Sequence, residues 1–169
     1  MRTRRLAAVT TALTFVLLLV GVFTKEVGAD LTCGMNWPLC DGAVFGLFPA
    51  NLPSAVEWFH RLLALVVGLL FVYTLFRLWR ERGPDDRVTR AVAAAVVLLP
   101  FQAILGAITV TKARFGLNSL LAGAVISVTH YAFGVLLFTA LVIGTVWAFE
   151  RHSSGGGGTP TTDAATADD

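Results

Sequence analysis

Four stretches of this chain carry almost no charge, and each is long enough to cross a bilayer: Leu6 to Phe23, Val56 to Phe76, Ala91 to Val110, and a fourth that ends at Phe149. A spanning helix takes about 20 predominantly apolar residues. Hydrocarbon offers no partner to an exposed N–H or C=O group, so only helices or a closed barrel can cross it. Runs this long and this continuously apolar do not fit the alternating strands of a barrel, which need only about 9–11 residues each. The sequence therefore predicts an all-α, polytopic membrane protein, a four-helix bundle over residues 6–149. Composition points the same way. AVILMFWYC make up 56% of the 169 residues, and with glycine added the apolar share passes the roughly 45–50% of soluble domains. Disorder of the whole chain is excluded, and a net charge of +2 gives no ground for a nucleic-acid partner.

The few charges orient the bundle. Cytoplasmic loops are enriched in Lys and Arg. Arg2, Arg4, Arg5, Arg77, Arg80, Arg82, Arg87, Arg90 and Arg151 fall on one side, and Lys25, Arg61, Lys112 and Arg114 on or near the other. The expectation is a multi-pass protein of the cell membrane with both termini cytoplasmic: a basic N-terminus at 1–5, an outer loop at 25–55, and a flexible tail at 150–169. Trp58, Trp79 and Trp147 lie near helix ends, where interfacial aromatics belong. The first span has basic residues before it, and Val27-Gly28-Ala29 loosely resembles a cleavage site. Its apolar core exceeds the 7–15 residues of a secretory signal, so it is expected to stay as a helix.

Cys33 and Cys40 share the outer loop, on the side where disulfides persist, with Gly34 and Pro38 between them to make a turn. Such a pair either pins the loop or exchanges electrons, as in membrane thiol:quinone oxidoreductases. Those enzymes usually have a second cysteine pair or a C-x-x-C, and this chain has neither.

Only three histidines occur, and His152 sits beside Arg151 at the polar end of the last span, where solvation explains it. His60 and His130 lie within or at the edge of spans, where an ionisable group is costly and marks a functional hypothesis. His60 precedes Arg77 by 17 residues and His130 precedes Glu150 by 20, which places them roughly 25 and 30 Å from the cytoplasmic edge at 1.5 Å per residue. The second and fourth helices descend in parallel, so the two imidazoles stand at nearly one level. Two such histidines can clamp a haem iron from opposite faces, or each can simply bond a carbonyl. Zinc is disfavoured, because its sites take three or four protein ligands and only Glu57 lies near. Glu57 meets His60 at i+3 and Arg61 at i+4, so it can pair with Arg61, orient an imidazole, or stand beside a reacting ligand; Arg61 can equally hold a haem propionate. Pro100 should kink the third span, and the Gln102 amide after it needs a partner.

The runs Gly28-Ala29-Asp30-Leu31-Thr32-Cys33, Trp37-Pro38-Leu39-Cys40-Asp41-Gly42 and Glu57-Trp58-Phe59-His60-Arg61 resemble the outer loop and second helix of the heme A synthase family. Gln102 to Val110, followed by His130, resembles that family's third and fourth helices, so the likeness covers about residues 6–149. The resemblance implies an enzyme that oxidises the C8 methyl of heme O to the formyl of heme A for terminal oxidases. It implies His60 and His130 as axial ligands, Glu57 as the catalytic acidic residue, and a Cys33–Cys40 disulfide. Family members carry eight helices in two related halves, one binding the substrate haem and one a heme b cofactor. This chain supplies four helices, so a homodimer or higher homo-oligomer is expected, with heme O synthase as a candidate partner. The segment Thr24-Lys25-Glu26-Val27 departs from the Arg and Thr-Gly usual there. A b-type electron carrier or haem-handling subunit without chemistry of its own is the alternative from the binding class.

Overall fold

The structure is a computed structural model that describes residues 3–29, 32–33, 37, 40, 49, 51–117 and 119–154. Asp30, Leu31, Pro38, Leu39, Asp41, Gly42, Arg2 and the tail beyond Ser154 lie outside the described residues, as do the side chains of Arg114, Arg151 and His152.

Four helices account for nearly all that is described: α1 (Thr3–Glu26), α2 (Leu52–Arg82), α3 (Arg87–Thr111) and α4 (Leu120–Ser154), with a 3₁₀ turn at Lys112–Phe115. Each is long and apolar enough to cross a membrane. The shortest has 24 residues and measures about 36 Å at 1.5 Å per residue, more than the roughly 30 Å of hydrocarbon. The helices run past the apolar windows, α2 by six residues to Arg82 and α4 by five to Ser154. Helical hydrogen bonds do not stop where hydropathy does, and polar side chains suit the headgroup zone.

Local chemistry sets the ends. Asn51 caps α2, its Oδ1 accepting the Ser54 N–H at 2.9 Å, so the helix starts at Leu52 with Pro53 second, where a missing N–H costs nothing. Gly83 closes α2 at φ 82°, a conformation that other residues resist, and donates its N–H to the Trp79 carbonyl. Asp86 then caps α3 through the Val88 N–H at 2.9 Å. A connection this short makes α2 and α3 antiparallel neighbours. α3 stays helical through Pro100, whose ring lies exposed on the bundle surface.

Packing closes the helices into a ring. α1 and α3 each touch both α2 and α4, which leaves α2 and α4 on one diagonal. The apolar core lies wholly toward the end with the α2–α3 connection, hereafter the turn end, and is built from Val67, Phe71, Leu78, Val88, Val92, Ala95, Leu137, Leu141 and Ala148. Two hydroxyl pairs bind α1 into that end: Thr10 to Thr74 on α2, and Thr11 to Thr145 on α4, each 2.9 Å between Oγ1 atoms. Large apolar side chains instead cover the outside, with Val97 66% and Leu121 75% exposed. That inversion is the mark of a surface solvated by lipid, in which small residues and hydrogen bonds, rather than water, hold helices together.

Candidate functional site

The other half of the bundle, toward the loops and hereafter the loop end, replaces that apolar core with polar groups and glycines. His60 on α2 rests against α1 at Gly21, where a Cβ would stand 3.0 Å from the imidazole Cε1. His130 on α4 rests in the same way against α3 at Gly106, with the corresponding distance 3.2 Å. Each imidazole thus occupies space that a neighbouring side chain would otherwise fill.

Helix register places the two rings at one level. A Cβ on Gly134 would meet Leu18 Cδ2 at 2.9 Å, so those residues are opposite each other on α4 and α1. Three residues along α1 toward the loops is Gly21, and four along α4 is His130; these rises, about 4.5 and 6 Å, differ by a fraction of a turn. His60 packs against Gly21, and so stands at the level of His130. The structure therefore sets at one level the two histidines whose sequence depths match.

Among the described residues, three of the six buried polar side-chain atoms without a hydrogen bond lie here, the others being on Thr3, Arg4 and Thr89 toward the turn end. Nδ1 of His60 and Nδ1 of His130 are buried and lack a hydrogen bond, and so does Oε1 of Gln102. Gln102 lies one turn from Gly106 on α3, its backbone carbonyl beside His130 and its Nε2 3.2 Å from where a Gly134 Cβ would be. Buried polar atoms are nearly always satisfied, so three unpaired ones at one level of an apolar bundle need an explanation. Among the described residues, no group of three or more His, Cys, Asp or Glu is placed to hold a metal ion.

Glu57 lies one turn before His60 on α2. The residue is buried, 2% exposed. Oε1 pairs with Arg61 one turn further along α2, and Oε2 accepts the Cys33 N–H at 2.9 Å. The i,i+4 spacing foretold the first contact; the second ties the outer loop to the helix that carries His60. Cys33 and Cys40 form a disulfide with Cα atoms 4.3 Å apart. Both cysteines are fully buried, their sulfurs 3.7 and 3.8 Å from the Ser54 carbonyl oxygen. Thiol exchange needs access to a sulfur, so this burial favours a bond that pins the loop over one that cycles. Ser54 completes the junction, donating its hydroxyl to the Thr32 carbonyl at 3.1 Å.

Sequence reasoning missed Gly21, Ser54 and the threonine pairs. A signal for Gly21 exists in α1: Thr3, Ala7, Thr10, Thr14, Gly21 and Thr24 are small residues at intervals of three, four or, from Thr14 to Gly21, seven, the pattern of an inward face.

A membrane four-helix bundle with paired histidines on its diagonal helices, beneath a disulfide-bearing loop, is the class that fold and site define. The chain belongs to the COX15-CtaA family of cytochrome oxidase assembly proteins, whose family model matches residues 52–167. It is 30% identical over 149 residues to the heme A synthase of Bacillus licheniformis, covering 88% of this chain and 46% of that protein. The heme A synthase of Bacillus pumilus is 31% identical over 152 residues, covering 89% and 46%. A protein named protoheme IX farnesyltransferase from Halobacterium salinarum is 33% identical over 137 residues, covering 81% of this chain and 28% of its own length. The chain thus spans about half the length of the heme A synthases it matches. No solved structure matches it.

Proposed function

We propose that this chain is a heme A synthase-type oxidoreductase, which holds haem between His60 and His130 and takes part in converting the C8 methyl of heme O to the formyl of heme A. The observation that carries this reading is the pair of imidazoles at one level of the bundle, each seated on a glycine of a neighbouring helix and each with a buried Nδ1. A neutral imidazole that gives one nitrogen to iron normally donates the other N–H to a carbonyl, and Gln102 offers one beside His130. The residues present fit a haem, and when bound it supplies the redox chemistry. The chain's own groups do the rest. His60 and His130 would hold the iron, Gly21 and Gly106 give the two imidazoles room, and Gln102 offers a polar contact within an apolar wall. Glu57, one turn before His60 on α2 and held by Arg61 and the Cys33 N–H, would be the acidic residue that acts near the ligand.

Heme O is read as the substrate, heme A as the product and heme b as a second, resident haem. A homodimer or higher homo-oligomer supplies the second four-helix unit that the longer heme A synthases contain. Similarity to part of a protein named for farnesyl transfer to protoheme IX supports a partnership with the enzyme that prenylates haem. The Lys and Arg distribution supports cytoplasmic termini.

The test is a spectrum followed by pigment extraction. Purified protein is expected to show the Soret band of a haem bound by two histidines, lost in His60→Ala and in His130→Ala. Co-expression with a heme O source should yield formyl or hydroxymethyl haem. Wild-type spectra in both variants would remove the assignment, and heme b alone in the extract would leave an electron carrier instead.

A further inference from the structure

We infer that Lys112 is the cationic anchor for a carboxylate of the bound ligand, pairing its ammonium with a haem propionate at the loop end of the site. The inference rests on the histidine site proposed above. Lys112 opens the 3₁₀ turn after α3, and its half-buried side chain crosses to α4, where Nζ lies 3.5 Å and Cε 4.0 Å from the position of a Cβ on Gly123. A lysine at a membrane boundary usually stretches outward to headgroups. This one lies instead across a glycine on the inner face of α4.

That face is identified by spacing and by contact. Gly123, His130, Leu137 and Gly144 recur every seven residues, nearly two turns; His130 meets Gly106, Leu137 belongs to the apolar core, and Gly144 meets Val92. Gly123 therefore stands above His130 on the same stripe, about 10.5 Å away along the axis. That rise is comparable with the reach from the centre of a porphyrin to its propionate carboxylates. A haem clamped by His60 and His130 has to direct its two acids toward water, and the loop end is the nearer exit. Carboxylates entering a bundle need charged partners. Arg61 is already paired with Glu57, whereas Lys112 forms no ion pair among the described residues. An ammonium acts as a mobile point charge on a flexible stem, which suits a propionate whose torsions are free.

Titrating the full-length apo-protein in detergent with protohaem, and in parallel with its dimethyl ester, isolates this contact, because the ester keeps the ring and iron but loses both charges. Wild type should bind the free acid more tightly than the ester. Lys112→Ala should weaken protohaem binding about tenfold, the scale of one charge-assisted contact in a half-exposed setting, and leave ester binding unchanged; Lys112→Arg should restore the preference. Equal weakening of both ligands would mean that the lysine supports the fold. No change in either would mean that it serves lipid headgroups. Each of these overturns the proposal while leaving the histidine site standing. A wild-type chain that gives no Soret band with either ligand removes the histidine site, and the anchor with it.

Discussion

Replacing Gly21 with alanine should damage ligand binding more than it damages the fold. The added Cβ would stand 3.0 Å from His60 Cε1, and 3.6 and 3.7 Å from Nδ1 and Nε2. Carbon atoms pack best at about 3.5–4.0 Å, so the ring or the helix has to move by roughly 0.5 Å. α1 has little freedom to retreat, because Thr10 and Thr11 bind it to α2 and α4 and Leu18 is packed on Gly134. The imidazole gives way instead, and a displacement of about 0.5 Å is the tolerance of a preorganised site. Overpacking costs about 1–3 kcal/mol, and the better helix propensity of alanine returns about 1 kcal/mol. Folding stability should then fall by no more than about 2 kcal/mol, while a misplaced ligand nitrogen lowers haem affinity by about ten- to a hundredfold, or 1.4–2.8 kcal/mol. Gly106→Ala, where the contact is 3.2 Å, should show a smaller loss of the same kind. Gly68→Ala is the control, since nothing lies within 4 Å of its Cβ position. Haem titration followed at the Soret band and thermal unfolding followed by circular dichroism measure the two quantities. If Gly21→Ala binds haem as tightly as Gly68→Ala, the imidazole is not seated on that glycine in the loaded protein and the reasoning fails.

Thr10→Val and Thr74→Val should each lower stability, and the double variant should cost less than their sum by about 0.6 kcal/mol, the usual coupling for such a bond in a membrane bundle; additive losses in a double-mutant cycle would show that the hydroxyls do not bond each other. Glu57→Ala should be strongly destabilising, by about 3–5 kcal/mol, because it strands Arg61, whose side chain is 14% exposed, and the Cys33 N–H. Glu57→Gln keeps one carbonyl acceptor, enough for either Arg61 or the Cys33 N–H, and should cost less than alanine; heme A formation by a folded Glu57→Gln variant at the wild-type rate would dismiss the carboxylate from the chemistry. Opening the Cys33–Cys40 bond by Cys33→Ser closes no loop across a separation of seven, and chain entropy puts the cost at about 2 kcal/mol; unchanged unfolding would mean that the junction at Ser54 holds the loop unaided.

How much of this was legible in the sequence depends on whether a feature is local. The four spans, the pairing of Glu57 with Arg61 and the common depth of His60 and His130 all follow from hydropathy or from spacing along one helix. Gly21 and Gly106 illustrate what does not. Both are visible as glycines, and Gly106 stands among the small residues that mark close helix approach, but which side chain enters the space they leave depends on the register between helices. The Cys33 N–H bond to Glu57 spans 24 residues and joins a loop to a helix, so no periodicity announces it. Gln102 was recognisable as an amide in need of a partner, and the structure leaves its Oε1 unpaired beside the imidazoles. An unmet polar group is the kind of local inconsistency that functional sites retain.

The bundle divides its work along its axis, and the division explains why the site can hold glycines and polar groups in place of a continuous apolar core. Apolar interlocking, the Thr10–Thr74 and Thr11–Thr145 bonds and the Arg87–Glu150 pair all lie toward the turn end. In lipid, helices stay together through packing and hydrogen bonds rather than through expulsion of water, so that end can hold all four helices in place. The loop end is thereby relieved of the need for a continuous core, and it carries glycines, unbonded imidazoles and an amide that would weaken a bundle relying on them. Its alignment comes from elsewhere: the disulfide and Ser54 pin the loop to the start of α2, and Glu57 fastens that loop one turn from His60. Substitutions toward the turn end should therefore show first as lost stability with ligand spectra intact, and those at Gly21, Gly106 or Gln102 as altered spectra in a folded protein. A substitution at Val92 or Leu141 that shifted the Soret band without lowering the unfolding temperature would contradict that separation.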